Sequence, residues 1–189
     1  MRHLRAFLLA GLLLPLLDGV HTHWGVLSYR EEWVWKMAWW VPWNFGLAGL
    51  ALVWGAPRLE ALLGLPSGPR LPDRIALGEA VLLASIYAGT GVFSALGNPA
   101  IAVALYSFLG VRLIWASEPG DGWYAVIVGI VGPLAEALLS STGEFAYAVQ
   151  DLWLVPMWLP ALWGLAGIMI HRVMRHHWLG PPEPAGAGG

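Results

Sequence analysis

Six apolar runs of membrane-crossing length, separated by short polar loops, dominate this chain. A helix rises about 1.5 Å per residue, so about 20 mostly apolar residues span the roughly 30 Å of bilayer hydrocarbon. The runs fall at 4–20, 37–54, 75–96, 100–115, 123–139 and 152–170. Each is continuous rather than alternating, which excludes the roughly ten-residue strands of a membrane barrel. Composition agrees: 58% of residues are hydrophobic and only 12% charged, with the charges gathered between the runs. The expected fold is therefore all-α, a polytopic bundle of six transmembrane helices over 1–178. The tail at 179–189 has no apolar content with which to dock and reads as disordered.

Loop charge sets the expected orientation, because cytoplasmic loops carry the excess of Lys and Arg. With the N-terminus inside, the inner side collects Arg2, Arg5, Arg58, Arg70, Arg74, Arg112, Arg172 and Arg175, against Arg30 and Lys36 outside. Six spans return the C-terminus to the cytoplasmic side. The first run also has a signal-peptide reading, with Arg2 and Arg5 before a short apolar stretch. No small-x-small cleavage site follows it, and the even span count favours a retained helix.

Several function classes drop out on composition. The chain has no cysteine, hence no disulfide, thiolate metal site or cysteine nucleophile. Its net charge of −2 with one lysine gives no nucleic-acid footprint. Phosphate loops, GxGxxG and GxSxG are missing. His21 and His23 lie on opposite sides of a helix, and no carboxylate stands at ligand spacing from the histidines, so neither metal nor cofactor is expected.

The residues left to carry function are aromatic, small and acidic. Among the thirteen tryptophans, Trp24, Trp33, Trp35, Trp39, Trp40, Trp43, Trp153 and Trp158 map to outer span ends, where indoles form interfacial belts. Trp39, Trp40 and Trp43 occupy successive helix faces, so at least one points inward. Pro15, Pro42, Pro133, Pro156 and Pro160 fall inside the predicted spans, where each frees a carbonyl and kinks its helix. Ala48, Gly49 and Ala51, then Ala84, Ala88, Gly89 and Gly91, then Gly164 and Gly167 permit close backbone approach. A bundle tight in one half and splayed in the other encloses a cavity. Asp18 and Glu136 are the deeper carboxylates, each a default site hypothesis in a membrane. Glu79 reads as a first-turn residue near Arg74 that reaches water, and Glu144 and Asp151 as outer-loop residues.

Two stretches go further. Ala38-Trp39-Trp40-Val41-Pro42, followed by Gly46, Ala48, Ala56-Pro57-Arg58-Leu59-Glu60, Leu63-Gly64 and Pro66, resembles the second-span signature of the Insig family. Gly143, Tyr147, Asp151, Val155 and Trp158-Leu159-Pro160 resemble that family's run into its last span, and Asn98 and Trp115 fall into register between them. The similarity covers about 39–172. It implies a six-helix, non-enzymatic protein that binds a sterol-like lipid and holds partner membrane proteins. Two departures weaken an animal-type partner. The loop Ser117-Glu118-Pro119-Gly120-Asp121-Gly122 has no basic residue where the family has an Asp with nearby arginines, and Ile101 stands where the animal proteins carry a glutamine.

Arginine outnumbers lysine nine to one, which suggests a GC-rich prokaryote and shifts the expected ligand from a sterol towards a diacylglycerol, phospholipid or isoprenoid. The expected role is a membrane lipid-binding regulator, in the bacterial inner membrane or, for a eukaryotic chain, the endoplasmic reticulum. Its lipid would lie against Trp39, Trp40, Tyr87, Thr90, Tyr106 and Trp115, with Pro42, Gly143, Tyr147, Asp151, Trp158 and Pro160 as the structural motif. Tyr147 and Asp151, four apart, are expected to lock the start of the last span. Partners are then a membrane lipid, a further membrane protein and a second copy of the chain, with no nucleic acid. The alternative is an intramembrane hydratase or lyase acting on an isoprenoid or carotenoid, in which Glu136 or Asp18 protonates an alkene.

Overall fold

The computed structural model describes residues 2–65 and 72–174. The 179–189 tail and Pro66 lie outside them. Six helices run α1 (Arg2–His23), α2 (Val41–Leu63), α3 (Asp73–Val92), α4 (Asn98–Trp115), α5 (Asp121–Ser140) and α6 (Leu159–Met174). The first five are long and apolar enough to cross a membrane, and α6 is a shorter apolar helix.

Helix α6 forms the axis. It packs most extensively on α5, then on α3 and α4, while α1 pairs with α2 and touches α3. Leu159, Leu162, Leu165, Ile168 and Met169 on α6 are all buried, as expected of a helix apolar all round. The outer helices turn Leu4, Leu8, Leu12, Val103, Ile114, Val126, Ile130 and Leu134 outward. An apolar outer surface of that extent needs lipid around it.

Small residues set the two tightest pairings. A Cβ built on Gly49 would lie 2.7 Å from the Ala10 Cβ, and one on Gly167 would lie 2.8 Å from the Tyr124 carbonyl oxygen. Any larger residue forces α1 from α2, or α5 from α6. Gly91 brings α3 similarly close to Val20 and His21 of α1.

The structure revises the reading of the prolines and of the sixth span. Pro42 sits in the first turn of α2 and Pro160 is the second residue of α6. A missing N–H costs nothing there, because the first helical donors have no partner anyway. Pro156 precedes α6, so among the five only Pro15 and Pro133 are interior, joined by Pro57 in α2. Helix α6 starts at Leu159 rather than 152, since the apolar stretch before it is a loop closed by a Leu152–Val155 bridge.

A small sheet was not anticipated. Strands β1 (Leu27–Tyr29) and β2 (Phe145–Tyr147) pair antiparallel, Leu27 opposite Tyr147 and Tyr29 opposite Phe145. It ties the α1–α2 connection to the α5–α6 connection at one end of the bundle. Beyond β1 a 3-10 turn, Val34–Lys36, holds Trp35 at φ 51° and Lys36 at φ 57°. Two consecutive left-handed residues without glycine cost roughly 1–2 kcal/mol each.

Candidate functional site

At the sheet end, two short ladders meet. Asp18 and His21 lie three apart on α1, and Tyr87 and Thr90 lie three apart on α3, so each pair shares a helix face. Tyr87 donates to Asp18 Oδ1 at 3.3 Å, and Tyr29 of β1 donates to Asp18 Oδ2 at 2.6 Å. His21 Nε2 is 2.7 Å from Thr90 Oγ1, whose own proton goes to the Tyr87 carbonyl at 2.7 Å. That assigns the His21 proton to Nε2, with Thr90 as acceptor. The imidazole stacks on Tyr87 with centroids 4.4 Å apart, and both Asp18 and His21 are buried.

A second carboxylate, half-buried, joins at this end: Glu136 on α5. It accepts from Trp163 Nε1 at 2.6 Å and from the Tyr147 hydroxyl. Trp158 joins the two halves. Its ring meets His21 edge-on at 5.9 Å and Tyr147 at 6.2 Å, while its N–H donates to Asn98 Oδ1 at 3.0 Å. Asn98 donates in turn to Asp151, which also accepts the Met157 N–H at 3.3 Å.

Burial, reinforced by the nearby carboxylates Asp18 and Glu136, raises the hydroxyl pKa values of Tyr29 and Tyr147 far above the ordinary tyrosine range. Both therefore stay protonated donors. Tyr147 and Asp151 do not lock to each other as the sequence suggested: β2 and the following loop replace the expected helical turn, and each residue takes a separate partner.

Charge is concentrated at the other end. Arg172 of α6 bonds Asp121, approaches Glu79 Oε1 at 3.1 Å and Glu118 Oε1 at 3.7 Å, and donates to the Ala116 carbonyl at 2.6 Å. Arg112 also pairs with Glu79. Glu79 is thus buried in an ion-pair cluster and not, as expected, beside Arg74 in reach of water. Glu60 of α2 lies 2.7 Å from His171 Nε2, whose ring stacks on Tyr124 at 3.8 Å. These pairings bring α2, α3, α4, α5 and α6 together at one end.

The six residues expected to line a lipid cavity separate. Tyr87 and Thr90 belong to the sheet-end network, and Trp40 is half-buried, its ring 5.4 Å from that of Tyr29. Trp39 is exposed in the turn before α2, Tyr106 is exposed on α4 and donates to the Met157 carbonyl at 3.3 Å, and Trp115 is 77% exposed at the last residue of α4. The motif residues sit at joints: Pro42 and Pro160 start helices, Gly143 turns at φ 79°, and Tyr147, Asp151 and Trp158 join the network. Tyr29, Trp163 and Arg172 were missed as network members. Trp163 and Arg172 act across 27 and 93 positions, and Tyr29, 11 from Asp18, reaches it only because the chain reverses after α1.

A cleft of about 360 Å³ opens beside this network, not on the bundle axis. Thr90, Ser94 and Asn98 supply its polar groups, and Trp24, Ile101 and Trp158 much of its apolar wall. Among the described residues, no charged side chain lines it.

No protein-family profile and no curated protein sequence matches this chain. Two solved structures do. The crystal structure of a mycobacterial Insig homologue, MvINS from Mycobacterium vanbaalenii, is similar at a TM-score of 0.77 and 22% identity, covering 92% of each chain. A cross-linked trimer of an arginine-to-cysteine variant of MvINS is similar at 0.76 and 21%, again covering 92% of each. Agreement at that TM-score over nearly the whole of both chains extends to the order and packing of the helices. The chain is an integral membrane protein with the Insig fold.

Proposed function

We propose that this chain is a prokaryotic lipid-binding regulator of the Insig type rather than an enzyme, with a neutral, hydroxylated lipid as ligand. The observation that carries the reading is the position of Thr90: it lines the uncharged cleft and also bonds His21. Hydroxyls and an amide flanked by aromatic and aliphatic walls suit a diacylglycerol-like or sterol-like head with apolar tails. An anionic headgroup finds no countercharge there. Occupancy of the cleft would bias the α1–α3 contact through the Thr90–His21 bond, and a partner would read the altered helix arrangement as a population shift.

The hydratase alternative gains no support from the carboxylates. Asp18 and Glu136 each already accept two side-chain donors, and neither lines the cleft. A general acid needs its proton within hydrogen-bond reach of the substrate. Likeness to a cross-linked MvINS trimer supports self-association of this chain as well. The test is mass spectrometry of lipid retained by the purified protein, wild type against Thr90→Val. Retention of one neutral lipid class, reduced about tenfold in the variant, is the expected result, since one lost hydrogen bond of roughly 1–1.5 kcal/mol is about a factor of ten.

A further inference from the structure

Trp24 borders a second groove on its other side, of about 400 Å³, which the network and its cleft do not use. Leu16, Gly19 and Val20 of α1 form its floor, and Trp35 and Lys36 of the strained 3-10 turn form the opposite wall. Its basic side chains are His23 and Lys36, the latter the chain's one lysine, and among the described residues no acidic side chain lines it.

The turn is held in its strained shape from several directions. Thr22 Oγ1 donates to the Trp35 carbonyl at 2.8 Å, the Trp33 N–H donates to the Met37 carbonyl at 2.7 Å, and the Trp35 ring packs over Gly19. Left-handed non-glycine residues persist only where their surroundings over-determine them, and ligand clamps are among such places. Here the constraint stands a lysine and an indole against the last turns of a membrane-spanning helix. That is the depth at which headgroups lie and tryptophan prefers to sit.

We propose that this groove binds an anionic phospholipid of the surrounding membrane, its phosphate on Lys36 and His23 and its first acyl carbons on Leu16 and Val20 between the Trp24 and Trp35 rings. Charge complementarity selects the occupant: the Lys36 ammonium over an apolar floor, with the His23 ring beside it as a hydrogen-bonding group, matches a phosphodiester on a hydrocarbon chain and does not match a neutral lipid. Trp24 would then divide two lipid sites of opposite preference, the uncharged cleft on one side and the cationic groove on the other.

The test is native mass spectrometry of the full chain in detergent, titrated separately with dioleoyl-phosphatidylglycerol, dioleoyl-phosphatidylcholine, dioleoylglycerol and inorganic phosphate. Lys36→Asn removes the charge while keeping a residue tolerant of the left-handed backbone, and Lys36→Arg keeps the charge. Leu16→Trp fills the floor without touching the charge. Phosphatidylglycerol should bind the wild type about tenfold more tightly than phosphatidylcholine, as expected for one charge-assisted phosphate contact. Lys36→Asn should weaken phosphatidylglycerol binding about tenfold, to the level of phosphatidylcholine, Leu16→Trp should abolish it, and Lys36→Arg should keep it. Dioleoylglycerol retention should be unchanged in all three, which separates this site from the cleft. Equal phosphatidylglycerol occupancy in wild type and Lys36→Asn would overturn the proposal, as would displacement of the lipid by inorganic phosphate, which would make the groove a free-anion site.

Discussion

The Trp158 indole N–H donates to the Asn98 side-chain oxygen at 3.0 Å, joining the residue just before α6 to the first residue of α4. Asn98 passes the connection on to Asp151. Asn98→Ala leaves the part-buried Trp158 N–H without its acceptor and takes a donor from Asp151. It should lower stability in detergent by about 1–3 kcal/mol, the desolvation cost of an orphaned polar group. Thermal unfolding followed by tryptophan fluorescence measures it, and an unchanged midpoint would remove Asn98 from the scaffold.

Arg172 should be the most sensitive position at the opposite end, because Asp121 and Glu79, its partners, are themselves buried. Arg172→Met strands Asp121 and leaves Glu79 with Arg112 as its remaining cation, and should cost about 3–5 kcal/mol. Adding Asp121→Asn should restore part of that loss, since it removes one stranded charge. A double-mutant cycle with additive losses would mean that the pair is not coupled.

Tyr29 predicts an alkaline limb of stability. Its hydroxyl pKa is raised by burial and by Asp18 in the folded chain, so the folded state holds a proton that the unfolded chain releases above about pH 10. The contribution is complete below that pH and is lost as pH rises beyond it. Between about pH 10 and 11.5, the wild-type midpoint should fall more steeply than that of Tyr29→Phe. Parallel slopes would show that Tyr29 is not the buried donor to Asp18.

Orientation has its own test, which the absence of native cysteine makes clean. Ser28 lies in β1 and Ser117 between α4 and α5, both exposed and at opposite ends of the bundle. Ser28→Cys should react with an impermeant maleimide only from the non-cytoplasmic side, and Ser117→Cys only from the cytoplasmic side. Labelling of both from one side would defeat the loop-charge argument.

The helices were legible in the sequence because a bilayer demands long apolar runs, and little else satisfies that demand. The start of α6 was not. Leu152, Val155 and Trp158 are as apolar as a helix, yet they form a loop that Asp151 organises from outside the run. The buried network was legible only as loose members. Asp18 and Glu136 stood out as intramembrane carboxylates, but none of their donors is a helical neighbour: Tyr29 and Tyr147 lie 11 positions away beyond a chain reversal, Tyr87 69 and Trp163 27. Glu79 was misjudged for the same reason: its partner Arg172 is 93 residues away, whereas Arg74 was merely close in the chain. Local periodicity reports which face is apolar, and it carries no information about which polar groups meet across a bundle.

Lipid retention and turnover, measured together on the two sheet-end carboxylates Asp18 and Glu136, test the regulator reading most directly. Wild type, Glu136→Gln and Asp18→Asn are purified, incubated with extracted membrane lipids and isoprenoids, and followed by mass spectrometry for any change equal to one water. A neutral amide keeps the shape and much of the hydrogen bonding of a carboxylate while losing its acidity. All three proteins should therefore hold the same lipid unaltered. Sustained conversion by the wild type, lost by the factor of about 10² to 10⁴ that general acid catalysis supplies in Glu136→Gln or Asp18→Asn while substrate still binds, would contradict it and make the chain an enzyme.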